Sequence, residues 1–301
     1  MAEVFVVGSL HYDTIMHVSH LPKIDETVMG EDVQHICGGK GGNQAVSASR
    51  NGAKVSFAGA VGEDTAAEIL LANLNAADVD TGQVQRVAEA SGMSVAIVNS
   101  QGDYGAVVAS GANQSILTGE ISIPANTACV VMQNEIPEEV NIAVARKSET
   151  ARVILNAAPM RALSPELLEQ TDILVVNKIE AEVLFKTPIT SVSDAASVLA
   201  MADQTLPTVL ITLGGDGLVY RERNGAPVIA SAFDVEVISS HGAGDAFVGA
   251  LAAKIAIGEP LSDAIDYASA AAALWVSTHV TERINLDQKT VARFLSRHGR
   301  N

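Results

Sequence analysis

The sequence predicts an α/β protein built on a doubly wound, mostly parallel sheet sandwiched by helices. Three observations predict it. Short Val- and Ile-rich runs alternate with segments of helical period along most of the chain, as in a parallel sheet covered on both faces. The 301 residues, 48% of them hydrophobic, provide ample core for one large domain spanning 1–301. Two glycine-rich turns, 38–42 and 242–244, each open an Ala-rich helix, placing backbone donors where such folds bind ligands.

In chain order, the first strand is expected at 4–7, running into Gly8-Ser9. Residues 11–36 alternate apolar and polar without a helical period and read as hairpin strands. A helix follows the first glycine turn at 43–50, then a strand at 55–60 and a helix at 65–76. Residues 94–110 form a second hairpin pattern turning at Gln101-Gly102-Asp103. Strands at 129–133, 153–156, 173–176 and 209–213 are separated by helices at 138–148, 165–170, 181–185 and 194–202. Three helices close the chain, at 245–257, 262–278 and 289–297. Ligands in this order of elements bind beyond the C-terminal ends of the strands.

The segment Gly242-Ala243-Gly244-Asp245 carries the strongest chemical signal. Unpaired N–H groups and the positive end of the macrodipole make a helix N-terminus an anion site. A carboxylate at Asp245, within that turn, could take a proton from an alcohol while the amides hold a transferring phosphoryl group. In Gly38-Gly39-Lys40-Gly41-Gly42-Asn43-Gln44-Ala45, glycines allow close approach of a ligand, and Lys40 and Asn43 can bond hydroxyls. No Walker A order is present, and no Gly-x-Gly-x-x-Gly follows the first strand, which removes a dinucleotide oxidoreductase.

Composition excludes further classes. A net charge of −16 argues against a binder of the nucleic-acid phosphate backbone. Two cysteines, Cys37 and Cys129, make no disulfide framework and suit a reducing compartment. No basic leader precedes the first strand and no apolar run reaches membrane-spanning length, so a cytoplasmic protein with no membrane contact is expected. The histidines show no metal-ligand spacing.

Taken together, Gly38 to Ala45, Gln133-Asn134-Glu135, Asn177-Lys178-Ile179-Glu180, Thr212 to Gly217 and Gly242 to Asp245 resemble, in order, the motifs of the ribokinase-like (PfkB) carbohydrate kinases. The resemblance runs over nearly the whole chain. It implies a small β lid, formed by about 11–36 and 94–110, that covers the sugar and often serves as a homodimer contact. It implies Asp245 as catalytic base, with the amides of Gly242, Ala243 and Gly244 as the anion hole. The sugar would be bound by His11, Asp13, Gly39, Lys40, Asn43 and Glu135. The nucleotide would be bound by Asn177, Thr212, Gly214, Gly217 and Ser269, with Glu180 organising Mg²⁺ through water.

Three positions depart from the pattern. His11 replaces a sugar-contacting Asn, Ser269 replaces an adenine-contacting Asn, and Ser239-Ser240 replaces the Asp-Thr pair whose acid helps bind potassium. Segment 278–282 also lacks the usual Gly-Ala turn, so activation by K⁺ is expected to be weak or absent. The implied activity is transfer of the ATP γ-phosphoryl group to a primary hydroxyl of a small sugar, D-ribose first. The alternatives are a nucleoside or other sugar kinase, such as one acting on a fructose-like ketose, or a non-catalytic sugar-binding regulator. Aromatics are 4% of the chain, with Tyr12 and Tyr104 available in the lid for stacking, which disfavours a nucleoside pocket.

Overall fold

A computed structural model of the chain describes residues 3–101 and 103–298, with only the backbone of Tyr104. Gly102, the centre of the expected hairpin turn, and the side chain of Tyr104 lie outside the described residues. The elements are β1 (Glu3–Val7), β2 (His11–Val18), β3 (Gly30–Gly38), α1 (Lys40–Arg50), β4 (Lys54–Val61), α2 (Thr65–Ala76), β5 (Val79–Arg86), β6 (Gly92–Asn99) and β7 (Tyr104–Ala109). There follow β8 (Thr127–Gln133), α3 (Glu138–Lys147), β9 (Arg152–Asn156), α4 (Pro165–Glu169), β10 (Ile173–Asn177), α5 (Lys178–Phe185), α6 (Val192–Met201) and β11 (Thr208–Thr212). The chain ends with β12 (Leu218–Arg221), β13 (Val228–Ala230), α7 (Ala243–Ala256), α8 (Leu261–Ser277) and α9 (Gln288–His298).

Nine strands form one sheet in the order β13-β12-β11-β10-β9-β8-β1-β4-β5. Pairing is parallel from β11 through to β5 and antiparallel only at β11–β12 and β12–β13. The strand β1 explains the sandwich: all five residues are buried, and successive side chains point to opposite faces. Val4 and Val6 join the core under α1, α7 and α8, while Phe5 and Val7 join the core under α3 and α6. Strand order reverses between β1 and β8, the switch point at which a crevice opens beyond the strand ends.

The remaining four strands form a second sheet, ordered β3-β2-β6-β7. In it β2 runs antiparallel to β3 and parallel to β6, so the two hairpin patterns of the sequence join side by side. Strands β5, β12 and β13 lie outside the expected set. Residues 79–86 alternate burial at an outer edge of the large sheet and carry Asp80, Gln83, Gln85 and Arg86, which conceals them from a search for apolar runs. Among the described residues, no helix is long and apolar enough to cross a membrane.

Candidate active site

A cavity of about 300 Å³ lies at the switch point, beyond the C-terminal ends of the parallel strands. Asn156 ends β9, Asn177 ends β10 and Thr212 ends β11, and each lines it. Glu135 comes from the turn after β8, Lys40 and Asn43 from the start of α1, and 242–245 from the start of α7. His11, Asp13 and Ser94 reach it from the second sheet. Of the residues expected at a site, His11, Asp13, Gly39, Lys40, Asn43, Glu135, Asn177, Glu180, Thr212, Gly242, Ala243, Gly244 and Asp245 all meet here.

At the centre is Asp245, 8% exposed in the first turn of α7. Both its carboxylate oxygens are held: Asn43 Nδ2 donates to Oδ2 at 3.0 Å and Gln44 Nε2 donates to Oδ1 at 2.9 Å. Gln44 Nε2 also donates to Asn156 Oδ1 at 3.0 Å, tying α1, β9 and α7 together. Burial pushes the Asp245 carboxyl above the ordinary carboxylate range, with the nearby Glu135 adding to the rise. The positive charge of Lys40 and the two amide donors oppose this. Gly242, with φ of 78°, adopts the left-handed conformation that turns the chain into the helix. The amide of Ala243 donates to Ser240 O at 3.1 Å, so it is not a free donor as the sequence suggested. The first intrahelical bond, from Ala246 N to Gly242 O, leaves the amides of Gly244 and Asp245 to face an anion.

The first glycine turn works differently from expectation. Helix α1 begins at Lys40, not at Asn43, so Gly41 and Gly42 are already helical. A Cβ on Gly41 would stand 2.6 Å from Ser9 N, and one on Gly8 would stand 2.8 Å from Gly41 Cα. These glycines therefore bring α1 onto the turn after β1, with Gly42 N donating to Ser9 O at 3.0 Å. Close approach is to the protein's own backbone, and that contact aims Lys40, Asn43 and Gln44. The Glu135 carboxylate caps the same helix: its Oε2 accepts from Lys40 N at 2.8 Å and from the Ser9 hydroxyl.

On the second sheet, Asp13 Oδ1 accepts from the Ser94 hydroxyl of the neighbouring strand. His11 is 6% exposed, and among the described residues its Nε2 has no hydrogen-bond partner. On the opposite wall, Asn177 and Glu180 form a capping box: Asn177 Oδ1 accepts from Glu180 N at 2.9 Å and Glu180 Oε2 accepts from Asn177 N at 2.8 Å. Burial raises the Glu180 carboxyl above its ordinary range, against the opposing pull of the Asn177 bonds and of Lys40. Gly214 and Gly217 shape the turn from β11 to β12, where Leu213 N donates to Gly217 O at 2.8 Å, and neither lines the cavity. Ser269, half-buried on α8, does not line it either.

Sequence reasoning passed over Gln44, Asn156, Ser94 and Ser9. Gln44 and Ser9 stand inside quoted motifs, and Asn156 closes a buried strand with a polar residue, a signal that was available. Ser94 had none.

A parallel-sheet cleft with a buried carboxylate at a helix N-terminus, facing a pocket lined by carboxylate, amide and hydroxyl side chains, is the arrangement of a phosphotransferase of the sugar-kinase class. Residues 1–288 match the pfkB family carbohydrate kinases, and the chain belongs to that family. It is 36% identical over 283 residues to a ribokinase of Bacillus subtilis, covering 92% of this chain and 93% of that one. A ribokinase of Haemophilus influenzae is 34% identical over 282 residues, covering 90% and 91%. Among solved structures, Arabidopsis thaliana ribokinase complexed with ribose and ATP superimposes with a TM-score of 0.90 at 28% identity, covering 98% of each chain.

Proposed function

We propose that this carbohydrate kinase is an ATP- and Mg²⁺-dependent ribokinase, transferring the γ-phosphoryl group to the primary hydroxyl of D-ribose. The observation that carries the reading is the Asp245 carboxylate, buried at the N-terminus of α7 and held at both oxygens by Asn43 and Gln44. Similarity to ribokinases over nine-tenths of the chain supports the choice of sugar.

In this mechanism Asp245 accepts the hydroxyl proton as the alcohol attacks, and the amides of Gly244 and Asp245 hold the charge of the transferring group. Two donors on one carboxylate fix its direction, so the base meets the hydroxyl without reorganising. Lys40 places a cation beside both Asp245 and Glu180, where phosphate charge would gather. Asp13, Asn43 and Glu135 bond the sugar hydroxyls, with Gly39 leaving room. Asn177 and Thr212 face the nucleotide, while Gly214, Gly217 and Ser269 lie outside the cavity and are assigned to the nucleotide by the family resemblance alone.

Among the described residues, no group of three or more His, Cys, Asp or Glu could hold a metal ion alone. The site suits Mg²⁺ all the same, because this ion keeps several waters and leans on substrate phosphates. Glu180 spends Oε2 on the cap, which leaves Oε1 for an ion-bound water. A magnesium ion held there would supply charge neutralisation to the phosphates.

The second sheet acts as the lid. Its exposed Val33, Met93 and Val107, with Ile24 and Met29 in the connecting loop, support a homodimer contact through it. A cytoplasmic location fits the two free thiols.

The test is a turnover panel with ATP and Mg²⁺ over D-ribose, 2-deoxyribose, fructose and nucleosides, with the product ester located by NMR. Ribose should give the highest kcat/KM and an ester at the primary carbon. A faster fructose or nucleoside would replace the substrate, and binding without turnover would make the chain a regulator.

A further inference from the structure

Arg283 lies in the short 3-10 turn Val280–Asn285 that follows α8, and it is 5% exposed. Its guanidinium is spent on three main-chain oxygens. Nη2 donates to Ser239 O at 2.8 Å, Nη1 to His241 O at 3.1 Å and Nε to Thr278 O at 3.2 Å. Its Cζ stands 4.8 Å from the centroid of the Trp275 ring, and Trp275 Nε1 itself donates to His241 O at 2.8 Å. The amides of Ile238 and Ser239 both donate to Val276 O. The loop before Gly242 is thus tied at several points to the end of α8 and to this one side chain.

A buried cation is costly unless something offsets it. Here the offset comes from carbonyl dipoles, from the aromatic face and from the negative end of α8. Two of the three carbonyls belong to the loop that delivers Gly242, whose left-handed turn sets the direction of α7. Ser240, His241 and Gly242 of this loop line the cavity, so strong polar ties that fix its conformation bear directly on the site it feeds.

We propose that Arg283 is a positioning residue for phosphoryl transfer, a tethered cation that holds the 239–242 loop in place of a free monovalent ion. The inference rests on the reading of the α7 N-terminus as the transfer site. The family resemblance implies potassium beside that turn, and the donor set does not fit it. Carbonyl oxygens suit a bare cation, yet those of Ser239, His241 and Thr278 are engaged by the guanidinium, and Ser239 adds no charge. An ion in that cradle would also meet the positive charge of Arg283. A flat fork with five donors can bridge carbonyls from two segments at once, whereas an ammonium would satisfy fewer of them.

The experiment uses the full-length enzyme with Arg283→Ala and Arg283→Lys, measuring kcat, both KM values, sugar binding by calorimetry, and turnover with added guanidinium chloride or KCl at non-denaturing millimolar levels. Arg283→Ala should lose at least about tenfold in kcat while sugar affinity stays within about twofold. Guanidinium, and more weakly K⁺, should restore part of that kcat, an effect a purely structural defect would not show. Arg283→Lys should lie between the alanine variant and the wild type, and it carries the test if the alanine variant does not fold. Wild-type kcat in either variant, or a loss in Arg283→Ala that neither cation relieves, would overturn the proposal. Asp245→Asn separates the two readings: if it keeps turnover with Arg283 intact, the site assignment itself falls.

Discussion

Gln44 Nε2 donates to Asp245 Oδ1 at 2.9 Å, joining two residues 201 positions apart in the sequence. Asn43 holds the other oxygen, so one turn of α1 orients the whole carboxylate. Burial raises the Asp245 carboxyl above its ordinary range, and the two donors act against that rise. The working form of a base is the ionised one, so the acid limb of the pH–rate profile should reflect this balance.

Gln44→Leu removes a donor that favours the carboxylate. The Asp245 pKa should then rise further, moving the acid limb of kcat/KM to higher pH and lowering kcat at neutrality. Measuring kcat/KM across acidic to neutral pH for both proteins checks this, and a limb that stays put or moves down contradicts it. The sign for stability is the same: a carboxyl with a raised folded pKa contributes fully below its unfolded pKa and loses that contribution as pH rises through the folded value.

Asp245→Asn keeps the shape and removes the base. Turnover should fall by about 10²–10⁴-fold, the usual worth of a general base, while sugar and nucleotide still bind within about tenfold. Calorimetric binding beside steady-state rates makes the comparison. Near-normal kcat would mean that another group takes the proton.

The strand–helix alternation was legible because buried parallel strands such as Val4–Val7 are apolar on both faces, and 65–76 came out as a helix with its observed limits. What escaped depends on contacts remote in sequence. Strand β5 carries polar residues at an outer edge of the sheet, and α1 starts three residues early because Glu135, 95 positions away, supplies its cap. Asp245 and Asn43 were legible as chemistry-bearing types beside glycine turns, and Glu135 through the resemblance of Gln133-Asn134-Glu135 to a family motif. Arg283 was not, since nothing local distinguishes an arginine that will bond carbonyls 42 and 44 residues upstream.

Glu180 holds a cap and faces the cavity, and two variants separate these tasks. Glu180→Gln retains an oxygen for Asn177 N and removes the charge, so it should weaken the apparent Mg²⁺ affinity without lowering Tm. Because burial raises the Glu180 carboxyl, its ionised form costs stability near neutral pH, and neutralising it brings no penalty there. Glu180→Ala should weaken Mg²⁺ dependence similarly and also lose about 0.5–2 kcal/mol of stability with the cap. Magnesium titrations and thermal melts decide, and unchanged Mg²⁺ dependence in both variants would leave Glu180 with the cap alone.

His11 lines the cavity, and among the described residues its Nε2 has no hydrogen-bond partner. If that nitrogen meets a sugar hydroxyl, His11→Asn should shift the ratio of kcat/KM between ribose and 2-deoxyribose or fructose by about 1–3 kcal/mol, the range of one hydrogen bond in a specificity pocket. An identical substrate profile would show that the ring packs against Gly92 of β6 without touching the ligand.

The last expectation concerns monovalent ions in the wild-type enzyme. With Arg283 occupying the carbonyls of Ser239, His241 and Thr278, rates in Mg²⁺ with K⁺, Na⁺ or tetramethylammonium as the only monovalent cation should agree within about twofold, once ionic strength is matched. Ser239→Asp restores the acid that the family pattern carries, yet it should not create potassium dependence. The new carboxylate would stand beside a guanidinium that already bonds the Ser239 carbonyl, and the two would pair with each other before admitting a hydrated ion. Dependence should emerge once Arg283 is removed, weakly in Arg283→Ala and more strongly in the Ser239→Asp, Arg283→Ala double variant. Strong activation of the wild type by potassium, saturating at low millimolar levels, would mean that other oxygens complete an ion site and that Arg283 stands beside a cation it does not replace.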